Sequence, residues 1–223
     1  MARAPNYLAW QFEMVRPFVG AHVLEVGSGI GNFTRRLASS ASHVTALEPN
    51  RYCFDRLTAE TRELTNVTRL NLTVEEFHQM PHRTSVDTVV CINVLEHIQD
   101  DAAVVREFRS LIAPDGRLVL QIPAMPVAFG EIDRRLGHFR RYTKRSIRRL
   151  FSTTGWKSVH LRYFNTVGLL GWLWNTKVLV KTAQSDQQIR IFDRLVVPVL
   201  SRVEGVLHPP FGQCLVAVAV PDA

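Results

Sequence analysis

The sequence has no apolar run long enough to cross a bilayer, and it has few cysteines. Its most apolar stretch, the Trp-rich residues 166–180, is about 15 residues long, whereas a transmembrane helix needs about 20. The three cysteines, Cys53, Cys91 and Cys214, are widely spaced and odd in number, which argues against a disulfide framework or a zinc site. The opening residues, MARAPNYLAW, lack the apolar core of a secretory signal peptide. We therefore expect a cytoplasmic protein.

The net charge of +7 is concentrated in one segment. Eight of the 27 basic residues lie between Arg134 and Arg149, where there is no acidic residue, so the rest of the chain is close to neutral. A nucleic-acid-binding protein usually spreads its basic residues over a face, and 223 residues leave no room for an appended RNA-binding module. The composition otherwise suits one globular domain with insertions, over residues 1–223.

A glycine-rich turn follows the first apolar run. Residues 22–33 read HVLEVGSGIGNF, in which Val23, Leu24 and Val26 are followed by glycines at 27, 29 and 31. Glycine is required where a turn needs left-handed backbone angles or where a ligand lies directly on the backbone. A helix starting near residue 31 would direct free amides at an anionic group of that ligand.

A second apolar run, residues 43–47, ends in Glu48, Pro49 and Asn50. An acidic residue at the tip of the second strand can accept hydrogen bonds from the two ribose hydroxyls of a nucleoside bound over the first turn. The spacing GxGxG fits a pyrophosphate-binding GxGxxG less well, because the third glycine comes one residue early. The sequence thus predicts a nucleoside ligand that need not be a dinucleotide.

Four stretches in order, VLEVGSGIGNFT, ALEPN, VDTVVCINVLEHIQDD and LIAPDGRLVLQIP, resemble the motifs of class I S-adenosylmethionine-dependent methyltransferases. The resemblance covers about residues 20–165 and is strongest to the small-molecule O-methyltransferase branch of the ubiquinone-biosynthesis type. It implies an α/β, Rossmann-like fold with seven mostly parallel strands, the last antiparallel, and helices on both faces. The cofactor residues that it implies are Glu25, Gly27, Ser28, Gly29, Gly31, Glu48, Pro49, Thr73 and Asn93.

Periodicity places the elements along this fold. Strands are predicted at 21–26, 43–48, 67–72, 87–92, 117–122, 157–164 and 213–220, and helices at 6–18, 31–39, 50–63, 100–111 and 143–153. Residues 124–142 are interpreted as an active-site loop. Residues 166–210 form a helical insertion with a kink at Pro198, and they could cap the substrate pocket, form a dimer face or lie on a membrane surface.

The sequence departs from the family pattern after the third strand. Related enzymes have an Asp there that binds the adenine amino group, whereas this chain has Asn71, Leu72 and Thr73, of which Thr73 is the nearest match. Residues 91–94, CINV, do not resemble the Asn/Asp-Pro-Pro-aromatic motif of many amino-group methyltransferases acting on nucleic-acid bases or glutamine. Cys91 likewise does not resemble the Pro-Cys nucleophile of cytosine-carbon methyltransferases.

Two histidines could accept the proton of a hydroxyl during methyl transfer. His138 lies in the basic loop after the fifth strand, and His97 follows the fourth strand. Each could instead make a structural hydrogen bond. A second interpretation groups Asn93, Glu96 and His97, at i, i+3 and i+4, with His138 as a site for Mg²⁺.

The substrate is expected to be a small amphiphilic metabolite with a hydroxyl acceptor, such as a saccharide, a glycolipid or a polyketide-like compound. Arg140, Arg141 and Tyr142 beside His138 could bind it, and so could Trp10 on the first helix. Tyr7 and Trp10 could also close over the cofactor or pack against the sheet. RNA 2′-hydroxyl methylation and a non-catalytic cofactor-binding partner remain alternatives. A monomer or homodimer is expected, with peripheral membrane or lipid contact left open.

Overall fold

The computed structural model describes residues 4–81, 86–178 and 186–222, with the side chains of 177 and 178 left aside. The strands are β1 (His22–Val26), β2 (His43–Leu47), β3 (Val67–Leu70), β4 (Val86–Ile92), β5 (Ile112–Pro123), β6 (Trp156–Phe164) and β7 (Cys214–Pro221). The helices are α1 (Pro5–Val15), α2 (Thr34–Ala38), α3 (Arg51–Glu60), α4 (Val74–His78), α5 (Asp101–Leu111), α6 (Glu131–Arg135), α7 (Lys144–Thr153), α8 (Thr166–Leu173), α9 (Asp186–Ile191) and α10 (Val197–Val206).

The seven strands form one sheet in the order β3-β2-β1-β4-β5-β7-β6. β1 to β5 pair in parallel, whereas β7 runs antiparallel between β5 and β6. The strand order reverses between β1 and β4, which are parallel neighbours, so their carboxyl ends leave a crevice at that edge of the sheet, where ligands bind in open α/β folds. The predicted fold class is confirmed.

Apolar side chains fill both faces of the sheet. One core joins β-strand residues such as Val89 and Leu120 to Phe108 of α5 and Phe151 of α7. The other joins the opposite face to α1, α2, α3 and α10 through residues that include Trp10, Leu37, Leu57 and Val197. Because β4 and β5 are covered on both faces, their sequences are nearly continuous apolar runs rather than alternating patterns.

Two local predictions differ from the structure, and one helix, α4, was not predicted. The helix expected at 31–39 is the shorter α2, which begins at Thr34 because Gly29 and Gly31 hold left-handed backbone angles that an α-helix cannot use. A five-residue α2 also carries no extended row of N-terminal amides toward a ligand. The expected loop 124–142 contains α6, and α4 follows β3, where a capping box between Thr73 and Glu76 starts it.

The segment after β6 is helical and irregular. A π-helical stretch at Phe192–Val196 comes directly before α10, in which Pro198 sits in the first turn. Proline lacks the N–H that would bond four residues back, so a change of helical pitch near Pro198 is expected. Within the described part of the chain, no helix has both the length and the apolar character needed to cross a membrane.

Two buried carboxylates of this segment attach it to the rest of the fold. Asp193 accepts hydrogen bonds from the backbone amides of Asn6 and Tyr7 at the start of α1. Glu204 accepts them from the backbone amides of Asn165 and Thr166 at the start of α8. Free amides at helix starts bind carboxylates favourably, so both helix ends are held by the 186–206 segment.

Candidate active site

The glycine turn after β1 is shaped by its neighbours. Gly27 has φ +74°, and a Cβ added there would lie 2.4 Å from Val94 Cγ2, so the turn packs tightly on the chain that follows β4. Gly29 has φ +56°, and a Cβ added there would meet nothing within 4 Å. Gly29 therefore lines open space where a ligand can lie on the backbone, which is the arrangement that a bound nucleoside requires.

Glu48 ties this turn to the end of β2. Its Oε2 accepts a hydrogen bond of 2.7 Å from the Gly29 amide, and its Oε1 accepts one of 2.9 Å from the Asn50 amide. Each carboxylate oxygen has a second lone pair, so Glu48 retains acceptor capacity for ribose hydroxyls. Asn71 donates to the backbone carbonyls of Glu48 and Pro49 and so fixes the position of this edge.

Glu25 lies buried at the carboxyl end of β1. Its Oε2 accepts a hydrogen bond of 2.6 Å from Thr34 Oγ1 on α2, and its backbone carbonyl accepts a long one, 3.4 Å, from Ser28 Oγ. Burial raises the pKa of Glu25 to about 7, partly offset by the hydrogen bond from Thr34. The carboxyl group can therefore keep its proton near neutral pH and hold α2 against the turn.

Thr73 and Asn93 were also expected to contact the cofactor. Thr73 is occupied as the N-cap of α4, where its hydroxyl accepts from the Glu76 amide and its own amide donates to the Glu76 carboxylate. Asn93 follows β4 with φ +52° and donates its backbone N–H to the Gln121 carbonyl at 2.7 Å. Both residues lie at the carboxyl edge of the sheet, and their cofactor contacts stay predictions.

His138 is held by a buried acid. Its Nδ1 lies 3.0 Å from Asp133 Oδ1, and Arg141 Nε donates to the same oxygen at 2.8 Å. Burial opposes ionisation of Asp133, but the bonds from His138 and Arg141 outweigh it and lower its pKa below the ordinary value. Because an ionised carboxylate only accepts, Nδ1 carries a proton, and Nε2 is the ring nitrogen that Asp133 does not engage.

The other residues of the basic segment are engaged within the chain. Arg141 is buried and lies 4.6 Å over the Trp172 ring, while its Nη1 donates to the Ala124 carbonyl. Arg140 pairs with Asp101 at 2.7 Å, and Tyr142 Oη donates to the same carboxylate at 2.9 Å. These contacts position the loop that carries His138, and direct substrate contacts by the three residues remain predictions.

His97 and Glu96 complete the cluster around His138. The two imidazole rings stand nearly perpendicular with centroids 4.7 Å apart, and ligand atoms of Glu96, His97 and His138 all lie within 4.8 Å of one another. Burial and the neighbouring His138 lower the pKa of His97, so its imidazole is neutral near pH 7. Burial raises the pKa of Glu96 to about 8.

The same three side chains could hold a divalent cation. Two imidazoles and one carboxylate suit a transition metal better than Mg²⁺, which prefers oxygen ligands. The Asp133 bond to His138 Nδ1 leaves Nε2 available as a ligand, as is usual for metal-binding histidines. The same position of His138 Nε2 is therefore compatible with accepting a proton and with binding a metal ion. The predicted Mg²⁺ site stays a prediction.

The first helix packs where β6 and β7 meet this edge. Tyr7 Oη lies 3.3 Å from Cys214 Sγ, and the buried Trp10 ring stands nearly perpendicular to Phe164 at 5.2 Å. Of the two interpretations of Trp10, packing against the sheet is the one that the structure describes. A substrate contact by Trp10 is not described and stays a prediction.

A model of the methyltransferase domain family matches residues 5–161, more than half of the chain. The chain belongs to this family. The predicted class of S-adenosylmethionine-dependent methyltransferases is thereby confirmed at the level of the family.

Curated relatives agree with this assignment. Ubiquinone biosynthesis O-methyltransferase from Xanthomonas euvesicatoria pv. vesicatoria is 32% identical over 137 residues, which are 56% of this chain and 51% of that protein. The enzyme of that name from Acinetobacter baylyi is 28% identical over 116 residues, 51% of this chain and 48% of that protein. The chain spans about half the length of these relatives.

Solved structures share the fold at low sequence identity. A Haloferax volcanii putative methyltransferase in complex with the Trm112 activator has a TM-score of 0.68 at 15% identity, over 98% of this chain and 92% of that one. The N-methyltransferase NodS from Bradyrhizobium japonicum, bound to S-adenosylhomocysteine, has a TM-score of 0.60 at 15% identity, over 96% and 85%. At this identity the comparison shows the family fold.

Sequence reasoning missed Asp133, Asp101 and Trp172 as supports of the His138 loop. Asp133 lies five residues before His138 and immediately before the acid-free basic segment, a signal that could have suggested a partner for those bases. Asp101 and Trp172 come from distant parts of the chain, and no pattern around His138 points to them.

Proposed function

We propose that the protein transfers a methyl group from S-adenosylmethionine to a hydroxyl of a small amphiphilic metabolite, of the saccharide, glycolipid or polyketide-like class. The observation that carries this proposal is the pairing of His138 Nδ1 with the buried Asp133. It places the proton on Nδ1 and makes Nε2, the ring nitrogen that Asp133 does not engage, the one that can exchange a proton at the edge where substrates bind. An alcohol must lose its proton during attack, and such an imidazole can accept it.

The cofactor residues fit their proposed roles. Gly29 leaves room for a ligand on the backbone, and Glu48 has acceptor capacity for ribose hydroxyls. S-adenosylmethionine, when bound, supplies a methyl group already activated by its positive sulfonium sulfur. The chain's own task is then to align the acceptor, to exclude water and to remove one proton.

Support for an oxygen acceptor comes from the chain and from its relatives. The two curated relatives described above are named as O-methyltransferases, and this chain spans about half of their length. The cluster of His138, His97 and Glu96 places two imidazoles side by side, and imidazole suits deprotonation of a hydroxyl better than the residues of the Asn/Asp-Pro-Pro-aromatic motif of an amino-group enzyme. The acceptor class is therefore proposed as a hydroxyl compound.

Two tests separate this proposal from its alternatives. Calorimetric titration with S-adenosylhomocysteine should show binding, and incubation of the enzyme and S-adenosylmethionine with hydroxylated lipids and sugars should yield products heavier by one methyl group. Transfer that persists in a chelator and is insensitive to added Mg²⁺ supports His138 as the base, whereas loss of transfer on chelation favours the metal interpretation.

The remaining alternatives give different results. An enzyme acting on RNA would bind RNA with an affinity that falls steeply with salt. A non-catalytic partner would bind S-adenosylhomocysteine and methylate no component of any extract. Failure to bind S-adenosylhomocysteine would remove the transferase proposal altogether.

A further inference from the structure

A cavity of about 610 Å³ lies between α1 and the helices after β6, at the same edge of the sheet as His138. Its walls include Tyr7, Trp172, Trp174, Asn175, Phe192 and Gln213. It is separate from the glycine turn that lines the proposed cofactor site. A cavity of this size holds a drug-sized molecule.

The described residues that line the cavity include no basic side chain. Asp193 is its one acidic residue, and both of its carboxylate oxygens accept hydrogen bonds from Asn6 and Tyr7 at the start of α1. Burial raises the pKa of Tyr7, so its phenol stays neutral. An anionic ligand would lose its hydration here without gaining a counterion, and the one acid that could pair with a cation is already hydrogen-bonded to the start of α1, so a neutral ligand is favoured.

Amide groups supply the polar contacts. Asn175 is only 9% exposed, lines the cavity, and makes no side-chain hydrogen bond among the described residues. Gln213 uses Oε1 to accept from Asn165, and its Nε2 lies on the same wall without a hydrogen bond to the described residues. An amide both donates and accepts, as hydroxyl groups do, so these amide groups can bind the hydroxyl groups of a ligand that enters the cavity.

Aromatic rings form the opposite lining. The Trp172 indole is fixed by its bond from Nε1 to the Ala128 carbonyl and by the Arg141 guanidinium on its face. Trp174 is 58% exposed at the rim. Flat indole surfaces pack well against the C–H face of a saturated ring, and amides at the sides can bind the hydroxyls of that ring.

We propose that this cavity binds a neutral, hydroxyl-bearing ring of the acceptor, such as an uncharged sugar or polyol ring. Because this role rests on the proposed function, the ring would be the part of the acceptor that is not methylated. A chain of hydrogen bonds connects the cavity wall to Asp133, the residue that holds His138. Gln213 O accepts from the Ala124 amide, and the Ala124 carbonyl accepts from Arg141, which binds Asp133.

The sheet sets the distance that such an acceptor must span. Gln213 precedes β7, which is separated from β4 by β5 alone, and neighbouring strands lie about 4.8 Å apart. The acceptor must therefore extend over about 10 Å between the cavity and the end of β4. A single small alcohol would be too short to occupy both places, whereas a glycoside of a second ring would be long enough.

The test uses phenyl β-D-glucopyranoside as the neutral probe and phenyl β-D-glucuronide as its charged counterpart. Both are titrated into the full-length protein saturated with S-adenosylhomocysteine and followed by calorimetry. The glucoside should bind, and the glucuronide should bind about tenfold or more weakly, because its carboxylate finds no counterion. Equal binding of the two probes, or no saturable binding of the glucoside, would overturn the inference.

Variants locate the binding site. Asn175→Leu and Trp174→Ala should each weaken glucoside binding about tenfold and leave the affinity for S-adenosylhomocysteine unchanged. Leu195→Ala is the matched control, since Leu195 is an apolar residue 69% exposed on the stretch Phe192–Val196, after β6 like Trp174, and does not line this cavity. Because Trp174 is exposed, its replacement tests the cavity even if Asn175→Leu fails to fold.

The two proposals fail separately. If S-adenosylhomocysteine binds and methyl transfer occurs while both cavity variants bind the glucoside as the wild type does, the cavity inference falls and the transferase proposal stands. If S-adenosylhomocysteine does not bind, the transferase proposal falls. Any binding of the glucoside could then no longer be interpreted as binding of a methyl acceptor.

Discussion

Asp133 Oδ1 accepts hydrogen bonds from both His138 Nδ1, at 3.0 Å, and Arg141 Nε, at 2.8 Å. A single buried oxygen thus sets the orientation of the proposed base and fixes the guanidinium that stacks on Trp172. Its two partners differ in function. His138 has a second ring nitrogen that Asp133 does not engage, whereas Arg141 also donates to the Ala124 carbonyl.

Replacing His138 should impair transfer without impairing cofactor binding. We expect His138→Ala to lower kcat by about 10²-fold or more, the usual contribution of a general base, with unchanged affinity for S-adenosylhomocysteine. The measurements are steady-state kinetics and calorimetry. Wild-type turnover in this variant would eliminate His138 as the base.

Replacing Asp133 should affect both rate and stability. Asp133→Asn leaves Arg141 without its buried counterion, which costs about 3 kcal/mol or more, and it no longer fixes the proton on Nδ1 of His138. Glu131→Gln is the matched control, because Glu131 lies exposed on the same helix. Thermal melting and steady-state kinetics should show lower stability and a lower rate for Asp133→Asn than for Glu131→Gln. Equal melting temperatures and rates would mean that Asp133 neither stabilises the loop nor orients His138.

Glu48→Gln should weaken cofactor binding with the fold intact. The amide NH₂ of glutamine cannot accept from the Gly29 or Asn50 backbone N–H groups, and it removes acceptors for ribose hydroxyls. We expect an affinity loss for S-adenosylhomocysteine of about tenfold or more by calorimetry. The exposed Glu60→Gln serves as control. Unchanged affinity would remove Glu48 from the ribose role.

Gly29→Ala and Gly155→Ala form a matched pair. Both glycines have positive φ, +56° and +79°, and a Cβ at either would meet nothing within 4 Å, so both variants should lose about 1 kcal/mol of stability. Only Gly29 lines the proposed cofactor site. Gly29→Ala alone should weaken binding of S-adenosylhomocysteine, and an equal effect of the two substitutions would refute that placement.

Glu25 should make stability depend on pH. Its pKa is raised from 4.5 to about 7 in the folded protein, so between these values the unfolded chain loses a proton that the folded chain keeps. The stabilisation is full below pH 4.5 and is lost as pH rises through about 7, by up to about 3 kcal/mol. The free energy of unfolding should fall less over this range in Glu25→Gln. Parallel pH profiles from urea denaturation would contradict the prediction.

Much of the fold could be predicted because its signals are local. Apolar runs interrupted by glycine and proline placed the strands, and the ordered motifs placed the cofactor turn beside Glu48. The ends of helices were less predictable. The left-handed angles of Gly29 and Gly31 delayed α2, and the capping box at Thr73 produced a helix where a cofactor contact was expected.

The sequence by itself determined the family and the sheet, and it was enough to name His138, His97 and Glu48 as candidate site residues. Each of these conclusions depends on residue type at a fixed spacing along the chain. Only the tertiary structure decided which residues work together. Asp133 reaches His138 over five residues, but Trp172 reaches Arg141 and Asp193 reaches α1 from far along the chain. Such contacts form when helices pack on a sheet, and they cannot be predicted from the spacing of residues along the chain.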